Sequence, residues 1–202
     1  MDWHGSEFRQ HERCAKCKKC VGQFLERIYG TCVRNHRFRW QTGLDAYAGT
    51  QIDAVLRKVA HLLEAHRGFG LDEFVRSTVL SGCDYYVPDP GFIVEFDESQ
   101  HFTRPRSLAL SVYAELDHLG FSAVRWMKLC EHHAASDNDP PFRDEQRAWY
   151  DTLRDLIPMI RGKEPTVRLY ARDQAWCSLD PDRAEDRERF LAMMGREPAR
   201  PT

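Results

Sequence analysis

Long hydrophobic runs are missing from this chain. No apolar stretch approaches the roughly 18 residues that a membrane helix needs, and the opening Met1-Asp2-Trp3-His4 has no export-signal core. A cytoplasmic protein with no membrane partner is the expectation. Internal repeats and low-complexity tracts are also missing, which sets aside solenoids and disordered arrays. A strong excess of one charge is absent too: the formal net charge is −2 over 202 residues. With 30% charged and 42% apolar residues, the composition is that of a globular domain with a sizeable core.

Charge is nonetheless unevenly spread. Residues 8–40 carry nine basic side chains (Arg9, Arg13, Lys16, Lys18, Lys19, Arg27, Arg34, Arg37, Arg39) against Glu12 and Glu26. With Phe38 and Trp40 interleaved, this segment reads as a basic arm that could follow a phosphate backbone. Seven cysteines without an export signal argue against a disulfide framework. Four of them, Cys14, Cys17, Cys20 and Cys32, with His36 after them, have spacings suited to one tetrahedral metal, zinc ahead of an iron–sulfur cluster. Cys14, Cys17, Cys20 and Cys32 are the expected zinc ligands, with His36 competing for a place. The reading divides the chain into a basic, Cys-rich module over 1–45, an α/β domain over 46–175 and a charged helix with a tail over 176–202.

Periodicity places helices at about 50–68, 107–119, 142–160 and from Asp180 onward, and strands at 74–80, 121–129 and 166–171. The clearest feature is a hairpin. Cys83-Asp84-Tyr85-Tyr86-Val87 and Phe92-Ile93-Val94-Glu95-Phe96-Asp97 flank the turn Pro88-Asp89-Pro90-Gly91. A four-residue turn sets Val87 against Phe92, Tyr85 against Val94 and Asp84 against Glu95. Alternation then puts Asp84, Glu95 and Asp97 on one face and Cys83, Tyr85, Val87, Phe92, Val94 and Phe96 on the other. Like charges opposite one another weaken a sheet, so something should neutralise the acids. A divalent cation and a network of arginines are the two candidates.

The order helix, three strands, helix, strand over about residues 50–130, with Asp84 opening one strand and Glu95-x-Asp97 in the next, resembles the PD-(D/E)XK nuclease superfamily. Glu95-Phe96-Asp97-Glu98-Ser99-Gln100-His101 looks most like the branch that includes the very-short-patch repair endonucleases. The resemblance implies a restriction-endonuclease-like α-β-β-β-α-β core, a mixed sheet flanked by helices, with the Cys-rich module before it and an α/β extension after it. It implies hydrolysis of nucleic-acid phosphodiesters, DNA ahead of RNA, with Mg²⁺ or Mn²⁺ on Asp84 and Glu95. Asp97 stands where that superfamily most often has lysine, and would support the metal. His101 would act as base, Gln100 would position water, and Arg104 or Arg106 would steady the phosphate. Lys128 is a candidate for a lysine displaced to the following strand. An inactive descendant that binds nucleic acid or a protein partner is the alternative, and a homodimer is compatible with either.

Overall fold

The computed structural model describes residues 14–117 and 119–196. Its centre is the hairpin. β2 (Tyr85–Val87) and β3 (Phe92–Asp97) pair antiparallel in the expected register, Val87 with Phe92, Tyr86 with Ile93 and Tyr85 with Val94. The turn closes through Gly91 at φ +102°, a backbone angle open to glycine and strained for other residues. Two further strands complete a mixed sheet in the order β1-β2-β3-β4. β1 (Val33–Arg34) is antiparallel to β2, and β4 (Val167–Tyr170) runs parallel to β3.

Helices cover both faces. On the Ile93 side lie α2 (Asp53–Arg67), the single turn α3 (Leu71–Phe74), α4 (Arg104–Tyr113), α5 (Ala123–His133) and α6 (Arg143–Ile160), sharing a core that includes Leu56, Leu63, Leu110, Trp126, Trp149 and Leu153. On the other face, α1 (Ala15–Tyr29) and α7 (Ala184–Met193) cover Tyr85, Val87, Phe92, Val94 and Phe96, with Phe24 stacked on Phe190 at 4.7 Å. β3 is thus buried on both faces along its whole length. Among the described residues no helix is long and apolar enough to cross a membrane.

Two expected strands are absent. Residues 74–80 form the end of α3 and a loop, held by the Val79–Gln41 bridge, by backbone hydrogen bonds between Thr42 and Thr78 and between Leu80 and Trp40, and by the buried Phe74 and Leu80 side chains. Residues 121–129 lie mostly in α5: Ala123, Trp126 and Cys130 are its buried side, recurring at three and four residues, and the Ser122 hydroxyl accepts the Arg125 N–H at 3.3 Å as its N-cap. Ser122→Ala should therefore cost about 1 kcal/mol in urea unfolding, with Ser122→Asp restoring it; no loss would show the cap to be idle. The expected helix at 107–119 begins earlier and ends earlier, capped by Thr103, and buries Arg106, Ala109, Leu110 and Tyr113. The tail after Arg196 and the basic residues Arg9 and Arg13 lie outside the described residues.

Candidate functional site

Alternation along β3 sends Ile93, Glu95 and Asp97 into the helix-rich core. Glu95 is 5% exposed and Asp97 1%. Carboxylates this deep must be paired or protonated. The partners come from β4 and α6. Arg168, in register with Glu95 on the neighbouring parallel strand, donates to both oxygens of Asp97 at 2.8 and 3.0 Å, lies 3.2 Å from Asp151 and donates to Asp155 at 2.8 Å. The α6 residues Asp151, Arg154 and Asp155, spaced three and four apart, share the helix face turned to the sheet. Arg106 and the Tyr113 hydroxyl both donate to Asp155, at 2.7 and 2.8 Å, and Trp126 Nε1 donates to Asp97 at 2.7 Å.

Arg106, Arg154, Arg168 and His101 face Asp97, Asp151, Asp155 and Glu95. Glu95 is the least well satisfied of the acids. Its Oε1 lies 3.3 Å from Arg154 Nε, yet the two are not aligned for a hydrogen bond, and both atoms are buried without one. Burial pushes the Glu95 carboxyl up to about 8, outweighing the attraction of Arg154. Asp151 goes the other way: Arg168 and His101 hold it well below the usual carboxylate range despite its burial.

Asp84 stands just before β2, at the edge of this network. Its Oδ2 accepts the Phe96 N–H at 2.9 Å, and its Oδ1 pairs with Lys18 Nζ at 2.9 Å. Burial pulls the Lys18 ammonium down, but Asp84, with Glu98 and Glu95 adding to it, holds it above its ordinary value. Lys18 comes from α1 on the opposite face of the sheet, and the same helix residue's carbonyl accepts the Tyr85 hydroxyl.

No protein-family model, curated protein or solved structure matches this chain. The site therefore rests on its own geometry.

That geometry brings some expected residues together and removes others. The strand register ends at Tyr85 with Val94, and Asp84, just outside β2, is near enough to Glu95 to raise its pKa. Asp97 accepts three hydrogen bonds, two from Arg168 and one from Trp126. His101 Nδ1 lies 3.2 Å from Asp151 and 3.6 Å from Asp97. Desolvation opposes its charge, yet Asp151 and then Asp97 raise its pKa. Gln100 donates to Glu98 at 2.9 Å. Arg104 is exposed and lines a separate cavity of about 340 Å³ with His66, Arg67 and Glu145, while Arg106 is wholly inside the ion network. Lys128 is exposed on α5 rather than on a strand. Phe38 and Trp40 stack on each other at 4.2 Å, with Trp40 buried, so they are not a surface for bases.

Sequence reasoning missed Lys18, Arg154 and Arg168. It also missed Cys177. Cys14 and Cys17 keep company with Cys177, their sulfurs all within 4.8 Å of one another, and this group could hold a soft metal ion such as zinc. Cys20, Cys32 and His36 stand outside that group: the Cys20 thiol faces the Leu179 carbonyl at 3.5 Å, Cys32 lies beyond the end of α1, and the His36 ring stacks on Tyr86.

Proposed function

We propose that the chain hydrolyses nucleic-acid phosphodiesters, DNA ahead of RNA, with Mg²⁺ or Mn²⁺ held by Asp84 and Glu95. The observation that carries this reading is the buried Oε1 of Glu95, which has no hydrogen-bond donor although Arg154 lies 3.3 Å away, in a carboxyl whose pKa burial and nearby Asp84 raise. A hard cation is the partner such a pair fits, because one or two carboxylates suffice to hold it among its own waters. When bound, the ion would supply an activated water and polarise a phosphoryl oxygen.

The chain's own groups would do the rest. The Phe96 N–H fixes the Asp84 carboxylate, and Arg154 keeps Glu95 in place. Lys18 puts an ammonium beside Asp84, where it would offset charge on a phosphate and fill the role left open by Asp97. His101, held 3.2 Å from Asp151, would exchange a proton with the reacting groups. Exposed Lys16, Lys19, Arg37 and Arg39 offer contacts for a phosphate backbone. The order expected over residues 50–130 is not there, because 74–80 and 121–129 form no strands; the sequence helix, β1, β2, β3, helices, β4, counted from α1 with α2 and α3 inserted after β1, is what supports the reading instead.

A non-catalytic binding protein is the second reading. The feature that favours it is that Lys18 and Arg154 already neutralise part of the acidic pair from within. Supercoiled plasmid, linear duplex, single strands and RNA with Mg²⁺ or Mn²⁺ separate the two. Cleavage by the wild type and its loss in Glu95→Ala and Asp84→Asn is expected. Cleavage that persists in both variants would sink the site, and binding of every substrate without cleavage would establish the second reading.

A further inference from the structure

The three-thiol group lies on the far face of the sheet from the acidic site. It joins parts of the chain that are remote in sequence. Cys14 is the N-cap of α1 and Cys17 lies in its first turn, while Cys177 belongs to the short 3-10 turn Trp176–Ser178 that precedes α7. Cys17 is fully buried, Cys14 half-buried and Cys177 exposed, so an ion could enter from solvent and reach all three. Around them the packing is already fixed: Trp176 is buried against Phe96 and Phe190, and α1 meets α7 through Phe24 and Phe190.

We propose that Cys14, Cys17 and Cys177 bind one zinc ion that clasps the start of α1 to the turn before α7. Distance favours this over the alternatives. Thiolates about 2.3 Å from a tetrahedral zinc stand about 3.8 Å from each other. Sulfurs within 4.8 Å need close by only about an ångström to reach that arrangement. A disulfide needs about 2.05 Å and would consume two of the three, leaving the third without a role. Soft sulfur ligands select zinc over magnesium, so this site and the acidic one would not compete for the same ion. Three protein ligands leave one tetrahedral position for solvent, which makes the ion removable by chelator, unlike that of a closed four-thiolate site. The clasp sits one turn ahead of Lys18 on α1, and so would also steady the helix that brings the ammonium to Asp84.

The test is metal analysis of the full chain purified under reducing conditions. About one zinc per chain is expected, falling at least tenfold in Cys177→Ser and Cys17→Ser, and retained in Cys20→Ser and Cys32→Ser. Zinc that survives Cys177→Ser, or that is lost with Cys32→Ser, would overturn the ligand set. So would a reduced, folded wild type without metal, or a Cys14–Cys17 disulfide in its place. Should Cys177→Ser fail to fold, cobalt exchanged into the wild type decides: visible and near-ultraviolet bands of a tetrahedral site with three thiolates support the assignment, and those of four thiolates or none reject it. None of these readouts depends on nuclease activity.

Discussion

Replacing Arg168 with alanine is expected to destabilise the protein by about 3–5 kcal/mol, the cost of removing one partner from a buried ion pair. For a chain of this size that corresponds to a fall in Tm of roughly 6–20 °C. The guanidinium is fully buried and spans three carboxylates, donating to Asp97 and Asp155 and lying 3.2 Å from Asp151. Without it, Trp126, Tyr113, Arg106, Arg154 and His101 remain as partners, and the core has lost one full positive charge. Lysine is a poor replacement, since one ammonium cannot reproduce a planar fork aimed at several acceptors. Arg168→Lys should therefore recover only part of the loss. Adding Asp97→Asn to Arg168→Ala should recover more, because it removes a buried charge that has lost its arginine. Thermal unfolding followed by circular dichroism measures all three; a loss below about 1 kcal/mol in Arg168→Ala would mean that water reaches and compensates the carboxylates.

That network explains what could and could not be read from the residue string. The hairpin was legible because its turn fixes loop length and its strands alternate strictly, so the register of Tyr85 with Val94 and Val87 with Phe92 follows from local pattern. What neutralises the acids was not, because Arg168 reaches Asp97 from 71 positions away and only the parallel pairing of β4 with β3 brings it there. On α6, acids and bases spaced three and four apart have the pattern of a solvated helix face, yet Asp151, Arg154 and Asp155 are buried under the sheet. The expected strand at 121–129 failed for a related reason. Ala123, Trp126 and Cys130 fit a helical period as well as the neighbouring residues fit an alternating one, and packing against α4 decides for the helix. In the Cys-rich segment two patterns coincide. Cys17, Cys20, Val21, Phe24 and Leu25 recur at three and four residues and form the buried side of α1, so the spacing read as metal ligands is also that of an apolar helix face. The third thiol near Cys14 and Cys17 comes from the far end of the chain, where spacing gives no sign of it.

Glu95 gives the second large effect, and its sign differs from that of a salt-bridged acid. Its folded pKa, about 8, lies above the ordinary 4.5. The folded state therefore holds this proton more tightly than the unfolded state does. Stability linked to Glu95 is present below pH 4.5 and is lost as pH rises from there towards 8. At ~1.4 kcal/mol per tenfold, the whole difference is at most about 5 kcal/mol. His101, also raised, contributes in the same direction, so the wild-type curve alone does not isolate Glu95. The difference between wild type and Glu95→Gln does: the variant, uncharged throughout, should lose less stability between about pH 5.5 and 8.5. A cation held by Asp84 and Glu95 reverses the trend, because it replaces the proton and is bound best where the carboxylate is ionised. Saturating Mg²⁺ at a hundredfold excess over Kd should then add about 2.7 kcal/mol, or roughly 5–10 °C, near pH 8 and much less near pH 6. Magnesium is the ion to use, since the thiol group has little affinity for it. Glu95→Gln should abolish the magnesium effect while leaving the protein folded. An equal stabilisation of variant and wild type, or a wild-type response that does not grow with pH, would remove Glu95 from the metal site whatever the outcome of the cleavage assay.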